Sequence, residues 1–215
     1  MSPPDEVGPR RGLMLVISSP SGAGKTSLCR RLAQDHPDIV LSLSATTRPP
    51  REGERDGVEY RFVDRPTFET MVGEGAFLEW AEVHSQLYGT PRAKIMEMLA
   101  AGRDVLFDID WQGARSIRRA AGDDNVSVFI LPPSMAELAR RLHRRAKDDQ
   151  NVISRRLAGA KTELRKWDEY DYVIVNEELE VAYRQLTNIY LAERGKRIRN
   201  PWFGGFVEGL IEEPV

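Results

Sequence analysis

The feature that most constrains the fold is a loop with two glycines at residues 19–26, which reads Ser-Pro-Ser-Gly-Ala-Gly-Lys-Thr. It follows an apolar run at 13–17 and precedes a stretch with helical character at 27–34. The order of strand, glycine-bearing loop, Lys-Thr and helix is typical of a phosphate-binding P-loop. The pattern therefore predicts an α/β fold that binds a nucleoside triphosphate where this strand meets its helix.

The chemistry of the loop explains its spacing. Gly22 and Gly24 let the backbone N–H groups turn inward, where they form a phosphate cradle with the helix N-terminus. Lys25 is expected to reach the β- and γ-phosphates, and the Thr26 hydroxyl to ligate Mg²⁺. A chance glycine loop is the alternative, and the flanking strand and helix argue against it. The predicted ATP-binding residues here are Ser19, Pro20, Ser21, Gly22, Ala23, Gly24, Lys25 and Thr26, of which Ser19 departs from the glycine that usually opens the pattern.

Composition limits the other functions that this chain can have. Of its 215 residues 41% are hydrophobic, enough for one domain with a real core, and the net charge of −2 provides no overall basic field for nucleic acid. The single cysteine, Cys29, cannot form an internal disulfide, so we expect a reducing, cytoplasmic compartment. The apolar runs are far shorter than the roughly 20 residues of a membrane span. Residues 1–11 lack the apolar centre of a signal peptide, so we expect a flexible tail there.

Apolar strand-like runs alternate with helical periodicity along most of the chain. Continuous apolar strands in this alternation predict a parallel sheet with helices on both faces. Between residues 44 and 83 the rhythm breaks into short β-like pieces and one short helix, which predicts an inserted subdomain. The predicted strands are 13–18, 39–44, 60–63, 77–83, 104–110, 126–131 and 172–176, and the predicted helices are 27–34, 66–74, 91–101, 112–121, 135–145, 151–167 and 178–194.

Two arginines in the inserted segment indicate a second phosphate site. Arg48 and Arg51 are three residues apart, and the prolines between them stiffen the chain. Paired guanidinium groups suit a phosphate because each planar fork donates two hydrogen bonds at once. For this segment taken alone, a solvated basic loop is the alternative.

Seven separate segments resemble the guanylate kinase family, in the family's order and at similar spacing over residues 12–195. They are residues 19–26 quoted above, Ser-Ala-Thr-Thr-Arg-Pro-Pro-Arg-Glu-Gly-Glu at 44–54, Phe-Leu-Glu-Trp-Ala at 77–81, Tyr-Gly-Thr at 88–90, Asp-Ile-Asp-Trp-Gln-Gly at 108–113, Leu-Pro-Pro-Ser at 131–134 and Val-Ile-Val-Asn at 173–176. The resemblance implies a P-loop NTPase-type three-layer α/β fold with a parallel central sheet. It also implies a core at 12–43, 91–139 and 157–195, a mixed α+β GMP-binding subdomain at about 44–90, a short helical lid at about 140–156 and a C-terminal tail at 196–215.

The resemblance also assigns the acceptor site. It implies that Arg48, Arg51, Tyr60 and Tyr88 hold the GMP phosphate, that Ser44 and Thr90 bond guanine O6, and that Glu79 and Asp110 accept from guanine N1–H and N2–H₂. Asp108 is assigned to the same site. Because it ends an apolar strand, where ligands bind in open α/β sheets, we also expect it near Mg²⁺, directly or through water. Hydrogen-bonding chemistry supports the two carboxylate assignments independently, because guanine presents donors at N1 and N2 and a carboxylate only accepts. Adenine would present a lone pair there, and a buried unpaired acceptor is costly. For Glu79 alone, a solvated acid at a strand edge is the alternative.

A run of arginines after residue 139 matches the family's lid over the triphosphate. The implied catalytic residues are Lys25, Arg48, Arg141, Arg145 and Arg156, and Asn176 matches a position near the adenine of ATP. Such arginines neutralise charge on the transferred group. The family commonly has Gly-Arg-Gly in the lid, whereas Arg145 here stands between Arg144 and Ala146. A basic helical face is the alternative for any single arginine of this run.

These observations predict the reaction ATP + GMP → ADP + GDP with Mg²⁺, within purine nucleotide metabolism and GMP recycling, with dGMP as a further candidate acceptor. A kinase for another nucleotide is the nearest rival, and the two carboxylates argue against it. A peptide-binding module that has lost catalysis is a second rival, and the intact Lys25 and Thr26 argue against it. A GTPase-type switch is a third, but the sequence has no Asn-Lys-x-Asp-like guanine motif.

Overall fold

The structure is a computed structural model that describes residues 9–83, 85–145 and 150–214. The strands in these ranges are β1 (Met14–Ser18), β2 (Ile39–Leu41), β3 (Ala45–Thr46), β4 (Arg61–Phe62), β5 (Phe77–Val83), β6 (Gln86–Pro91), β7 (Asp104–Asp108), β8 (Asn125–Leu131) and β9 (Tyr172–Val175). The helices are α1 (Lys25–Asp35), α2 (Arg65–Gly73), α3 (Arg92–Ala100), α4 (Trp111–Ala121), α5 (Met135–Arg145), α6 (Gln150–Leu164), α7 (Leu179–Arg194) and α8 (Phe203–Glu212).

The central sheet has the strand order β2-β7-β1-β8-β9, and every neighbouring pair in it is parallel. Strand β1 lies in the middle and is buried along its whole length, because helices cover both faces of the sheet. Two apolar clusters pack on opposite faces, one containing Leu15 and Leu28 and the other containing Val16 and Leu99. The predicted parallel α/β fold is therefore confirmed.

A second sheet, with the order β4-β3-β6-β5, forms the insertion that the broken rhythm predicts. Its core is small and consists of Ala45, Phe68, Phe77 and Leu87, with the Phe68 and Phe77 rings stacked 4.5 Å apart. The strand predicted at 39–44 is too long. The chain leaves the central sheet after Leu41 and enters the second sheet at Ala45, so residues 42–44 connect two short strands.

The expected N-terminal tail is too long, because residues 10 and 11 belong to the packed fold. The Arg10 guanidinium makes two 2.8 Å hydrogen bonds to the Asp104 carboxylate, and both side chains are almost fully buried. Asp104 also accepts from the Leu13 backbone N–H and the Tyr190 hydroxyl. This buried carboxylate thus joins the segment at 10–13, strand β7 and helix α7.

The expected C-terminal tail contains helix α8, which periodicity did not predict. Its apolar side chains, among them Phe206, Leu210 and Ile211, are exposed in the structure. The turn before it is anchored, because Arg199 is buried and donates to the Glu193 carbonyl. Among the described helices, none has the length and apolar character needed to cross a membrane.

The Asp104 network yields a stability prediction. Asp104→Asn removes the buried counter-charge of Arg10, and breaking a buried pair of this kind typically costs about 3–5 kcal/mol of unfolding free energy. Asp38→Asn is the matched control, because Asp38 is mostly exposed and pairs with Arg194 at the surface, so its loss should cost about 1 kcal/mol or less. Urea unfolding of both variants measures the difference, and equal destabilisation would show that Asp104 does not hold the N-terminus in place.

Candidate active site

The loop at 19–26 has the backbone conformation that its glycines permit. Gly22 has φ +93° and Gly24 has φ +99°, values in the left-handed region that favours glycine. Gly24 is also the N-cap of α1, and the Ala23 N–H bonds the Pro20 carbonyl at 3.1 Å. The loop therefore leads directly from the buried end of β1 to the N-terminus of α1, where backbone N–H groups lack helical partners.

Asn176 packs against the backbone of this loop. Its Nδ2 donates to the Ala23 carbonyl at 2.7 Å, and the side chain is buried. A Cβ atom on Gly24 would lie 2.2 Å from that Nδ2, so only glycine fits at this position. The contact of Asn176 with adenine stays a prediction, while the structure shows that the residue ties the end of β9 to the loop.

Arg141, one of the predicted lid arginines, reaches the same region from α5. Its guanidinium donates to Glu137 Oε1 at 2.7 Å and to the Asn176 carbonyl at 3.0 Å. A longer 3.5 Å contact joins it to the Ala23 carbonyl. Arg141 thus lies beside the loop at 19–26.

Lys25 and Asp108 form an ion pair, although they are 83 positions apart in the sequence. Asp108 is the last residue of β7, next to β1 in the sheet, so parallel pairing brings its carboxylate to the loop. Thr26 follows Lys25 and faces the same space. A hydroxyl and a carboxylate oxygen are donors that Mg²⁺ prefers, usually together with substrate phosphates and water. Among the described residues, no cluster of three or more Asp, Glu, His or Cys side chains forms an all-protein metal cage.

A cavity of about 470 Å³ opens over the loop. Most of the predicted ATP-binding residues line it, together with Arg30, Ile109, Asp110 and Glu163. Glu163, on α6, was not predicted. Burial and the nearby Asp110 carboxylate raise its pKa, whereas the Ser21 backbone N–H lowers it. No local sequence signal marks Glu163, because a single acid on a polar helix looks solvated.

The insertion contributes a second polar cluster at its boundary with the core. Thr90 on β6 donates to Glu79 Oε1 on β5 at 2.7 Å, and the hydroxyl oxygens of Ser44 and Thr90 are 3.4 Å apart. Burial raises the pKa of Glu79, and the Asp110 carboxylate adds to the rise while the Thr90 bond opposes it. The structure therefore brings Ser44, Glu79 and Thr90 together.

Asp110 has a local role that the sequence analysis did not assign. Its Oδ1 accepts from the Gly113 N–H at 2.9 Å, so Asp110 is the N-cap of α4 and the predicted strand at 104–110 ends at Asp108. Gly113 also lies beside Glu79, since a Cβ there would be 3.5 Å from Glu79 Oε2, an ordinary contact distance. Both carboxylates predicted to contact guanine therefore lie near the start of α4.

The arginines predicted to hold a phosphate lie on the loop between β3 and β4. Arg48 makes a bidentate pair with Glu54, with both hydrogen bonds at 2.9 Å, and its guanidinium lies 5.3 Å from the centre of the Tyr60 ring. The Tyr60 and Tyr88 rings meet edge to face at 6.0 Å. The Arg51 backbone N–H donates to the same Glu54. Glu54 therefore orients the Arg48 side chain and the backbone at Arg51, a role that no sequence pattern predicted.

A cavity of about 1040 Å³ separates the insertion from the core. It is lined by Ser44, Glu54 and Tyr60 from the insertion, and by Asp108 and Lys94 from the core, among others. Thr26, Arg30 and Ile109 line both this cavity and the smaller one over the loop. The two cavities are therefore neighbours at the carboxyl edge of the central sheet, where ligands bind in open α/β folds.

The predicted lid is described only in part. Residues 140–145 belong to α5 and residues 150–156 to α6, but 146–149 and the Arg145 side chain lie outside the described residues. Arg156 is exposed on α6. Roles for Arg145 and Arg156 in catalysis stay predictions.

Comparisons with known proteins agree on one family. A family model described as guanylate kinase matches residues 11–193. The chain is 55% identical to the guanylate kinase of Caulobacter vibrioides, over 96% of this chain and 97% of that protein, and 54% identical to that of Sphingopyxis alaskensis, over 94% and 92%. The crystal structure of guanylate kinase from Anaplasma phagocytophilum is similar with a TM-score of 0.69 at 39% identity, covering 88% of this chain and 90% of that one.

The loop geometry predicts the effect of adding one methyl group. Gly24→Ala should weaken ATP binding by about tenfold or more, because the new Cβ meets Asn176 and the left-handed backbone becomes strained. Gly75→Ala is the control, since Gly75 has φ +65° and open space around it. It should lose about 1–3 kcal/mol of stability and keep its ATP affinity. Titration calorimetry with ATP measures both, and equal ATP affinities would contradict the close approach of Asn176.

Proposed function

Since the chain belongs to the guanylate kinase family, and is therefore a nucleoside monophosphate kinase, we propose that it transfers the γ-phosphoryl group of Mg²⁺-bound ATP to GMP. The products are ADP and GDP. We further propose that the reaction serves GMP recycling in the purine metabolism of the cytoplasm.

The observation that carries the proposal is the carboxylate of Glu79 beside Thr90 and Asp110. Thr90 occupies one lone pair of Glu79 Oε1, and the remaining acceptor sites can receive the N1–H and N2–H₂ donors of guanine. Adenine has an acceptor at N1, so AMP would leave the carboxylate facing a lone pair in a partly buried site. A desolvated acceptor without a donor costs about 1–3 kcal/mol, which supports selection of GMP over AMP.

The acceptor phosphate is assigned to Arg48, Arg51, Tyr60 and Tyr88, and guanine O6 to Ser44 and Thr90. Support for this assignment comes from the orientation of Arg48, which Glu54 and the Tyr60 ring hold in place. A pre-oriented guanidinium loses less side-chain entropy when it binds phosphate than a freely rotating one.

The donor phosphates are assigned to the loop at 19–26, with Lys25 at the β- and γ-phosphates. An oxygen of the GMP phosphate attacks the γ-phosphorus and forms the new P–O bond. The bond between the γ-phosphorus and its bridging oxygen breaks, and the electron pair stays on the β-phosphate of ADP. The attacking oxygen is already anionic, so no side chain has to act as a base, and the protein contributes positioning and charge neutralisation.

Mg²⁺ would supply charge neutralisation on the β- and γ-phosphates, held through the Thr26 hydroxyl and by Asp108, directly or through water. Asp108 meets the ammonium of Lys25 in the structure, so its carboxylate already neighbours a cation on the donor side. Arg141, together with Arg145 and Arg156, is proposed to neutralise charge on the transferred group when the lid closes.

A test of the proposal measures ADP release with Mg²⁺ and ATP for GMP, dGMP, AMP, UMP and CMP. We expect fast turnover with GMP and low kcat/KM with AMP, UMP and CMP. Comparable kcat/KM for AMP and GMP would contradict the assignment of Glu79 and Asp110 to guanine.

Glu79→Gln tests the guanine contact directly. The amide presents donors where the carboxylate accepted, so KM for GMP should rise about ten- to hundredfold while KM for ATP stays within about twofold. Glu82→Gln is the control, because Glu82 lies on the same strand but is exposed. A rise in KM for ATP alone, or equal effects of the two variants, would refute the assignment.

A further inference from the structure

Arg30 lies where the two cavities meet. Three residues line both the cavity over the phosphate loop and the larger cavity beside the insertion, namely Thr26, Arg30 and Ile109. Only Arg30 among them carries a charge. Thr26 and Arg30 are four residues apart on α1, so they share one face of the helix and Arg30 lies one turn beyond the predicted Mg²⁺ ligand.

The guanidinium of Arg30 is available to a ligand. It makes no hydrogen bond, ion pair or ring contact with any residue in the described part of the chain, and the side chain is exposed. Its neighbour Arg31 differs, since it pairs with Glu180 and lies 4.0 Å from the centre of the Tyr183 ring, against α7. Adjacent helix residues point about 100° apart, which explains why these two arginines face different surroundings.

Among the described residues, no carboxylate that lines either cavity pairs with Arg30. Four of the five make hydrogen bonds elsewhere: Asp108 with Lys25, Asp110 with the Gly113 N–H, Glu54 with Arg48 and Glu59 with the Arg55 N–H. An arginine that faces a cavity without a protein carboxylate suits an anionic ligand, because its planar fork bonds phosphate oxygens in pairs.

We propose that Arg30 binds the phosphate of the acceptor nucleotide from the donor side. Glu54 and Tyr60, which hold Arg48 in place, line the same cavity as Arg30. The inference rests on the proposed function, in which two anionic phosphates must approach within bonding distance. Their repulsion opposes that approach. A cation at the junction of the two cavities offsets it without touching the guanine base, so Arg30 acts on acceptor affinity and positioning and leaves base selection to Glu79.

The matched pair Arg30→Gln and Arg31→Gln tests the proposal. For Arg30→Gln we expect kcat/KM for GMP to fall about ten- to hundredfold, as for a lost charge-assisted hydrogen bond, with KM for ATP within about twofold of wild type. Arg30→Lys should recover part of the loss, because it restores the charge without the fork. Arg31→Gln should stay within about twofold of wild type in both constants.

Binding without turnover gives a second readout. Calorimetric titration of Arg30→Gln should show weaker binding of GMP and unchanged binding of guanosine, which lacks the phosphate. Suppose that the wild type phosphorylates GMP. If the Arg30 and Arg31 variants then behave alike, or if Arg30→Gln raises KM for ATP and leaves kcat/KM for GMP unchanged, the role of Arg30 is overturned and the proposed function stands. If wild type neither phosphorylates nor binds GMP, the proposed function fails first.

Discussion

The packing of the loop at 19–26 against the end of strand β9 is the contact on which the rest of the site depends. Asn176 reaches the Ala23 carbonyl only because Gly24 has no side chain, and Arg141 then binds the Asn176 carbonyl from α5. Gly24 is also the N-cap of α1. The start of α1 in turn sets the positions of Lys25 and Thr26 over one cavity, and of Arg30 at the border with the next.

Most charged groups around the site are paired with other side chains of the protein. Lys25 meets Asp108, Arg48 meets Glu54 and Arg141 meets Glu137. These pairs hold long side chains near the orientations in which they could meet phosphates, so less entropy is lost on binding. Under the proposed function, phosphates would compete with the carboxylates for these cations, and substrate affinity would reflect an exchange of partners. Arg30 stands apart because it has no such partner among the described residues.

Local patterns predicted the parts of the fold that have local causes. The central strands are covered on both faces, so their sequences are continuously apolar, and the loop glycines are needed for its backbone conformation. Strand β6 was not predicted, because Gly89 and Pro91 are poor strand formers. Only glycine fits at position 89 in this strand, because a Cβ there would crowd Phe68, Phe77 and Trp80. The Arg10–Asp104 pair spans 94 positions and left no local signal.

The sequence by itself determined the phosphate loop, the parallel core, the insertion and the family, because each is recorded in residue type and spacing over short stretches. Only the tertiary structure decided which polar groups meet: Lys25 with Asp108, Arg48 with Glu54, and Glu79 with Thr90. It also distinguished Arg30 from Arg31, which are adjacent and chemically identical in the sequence. The physical reason is that electrostatic and hydrogen-bond partners depend on distance in space, and chain folding sets that distance independently of separation along the sequence.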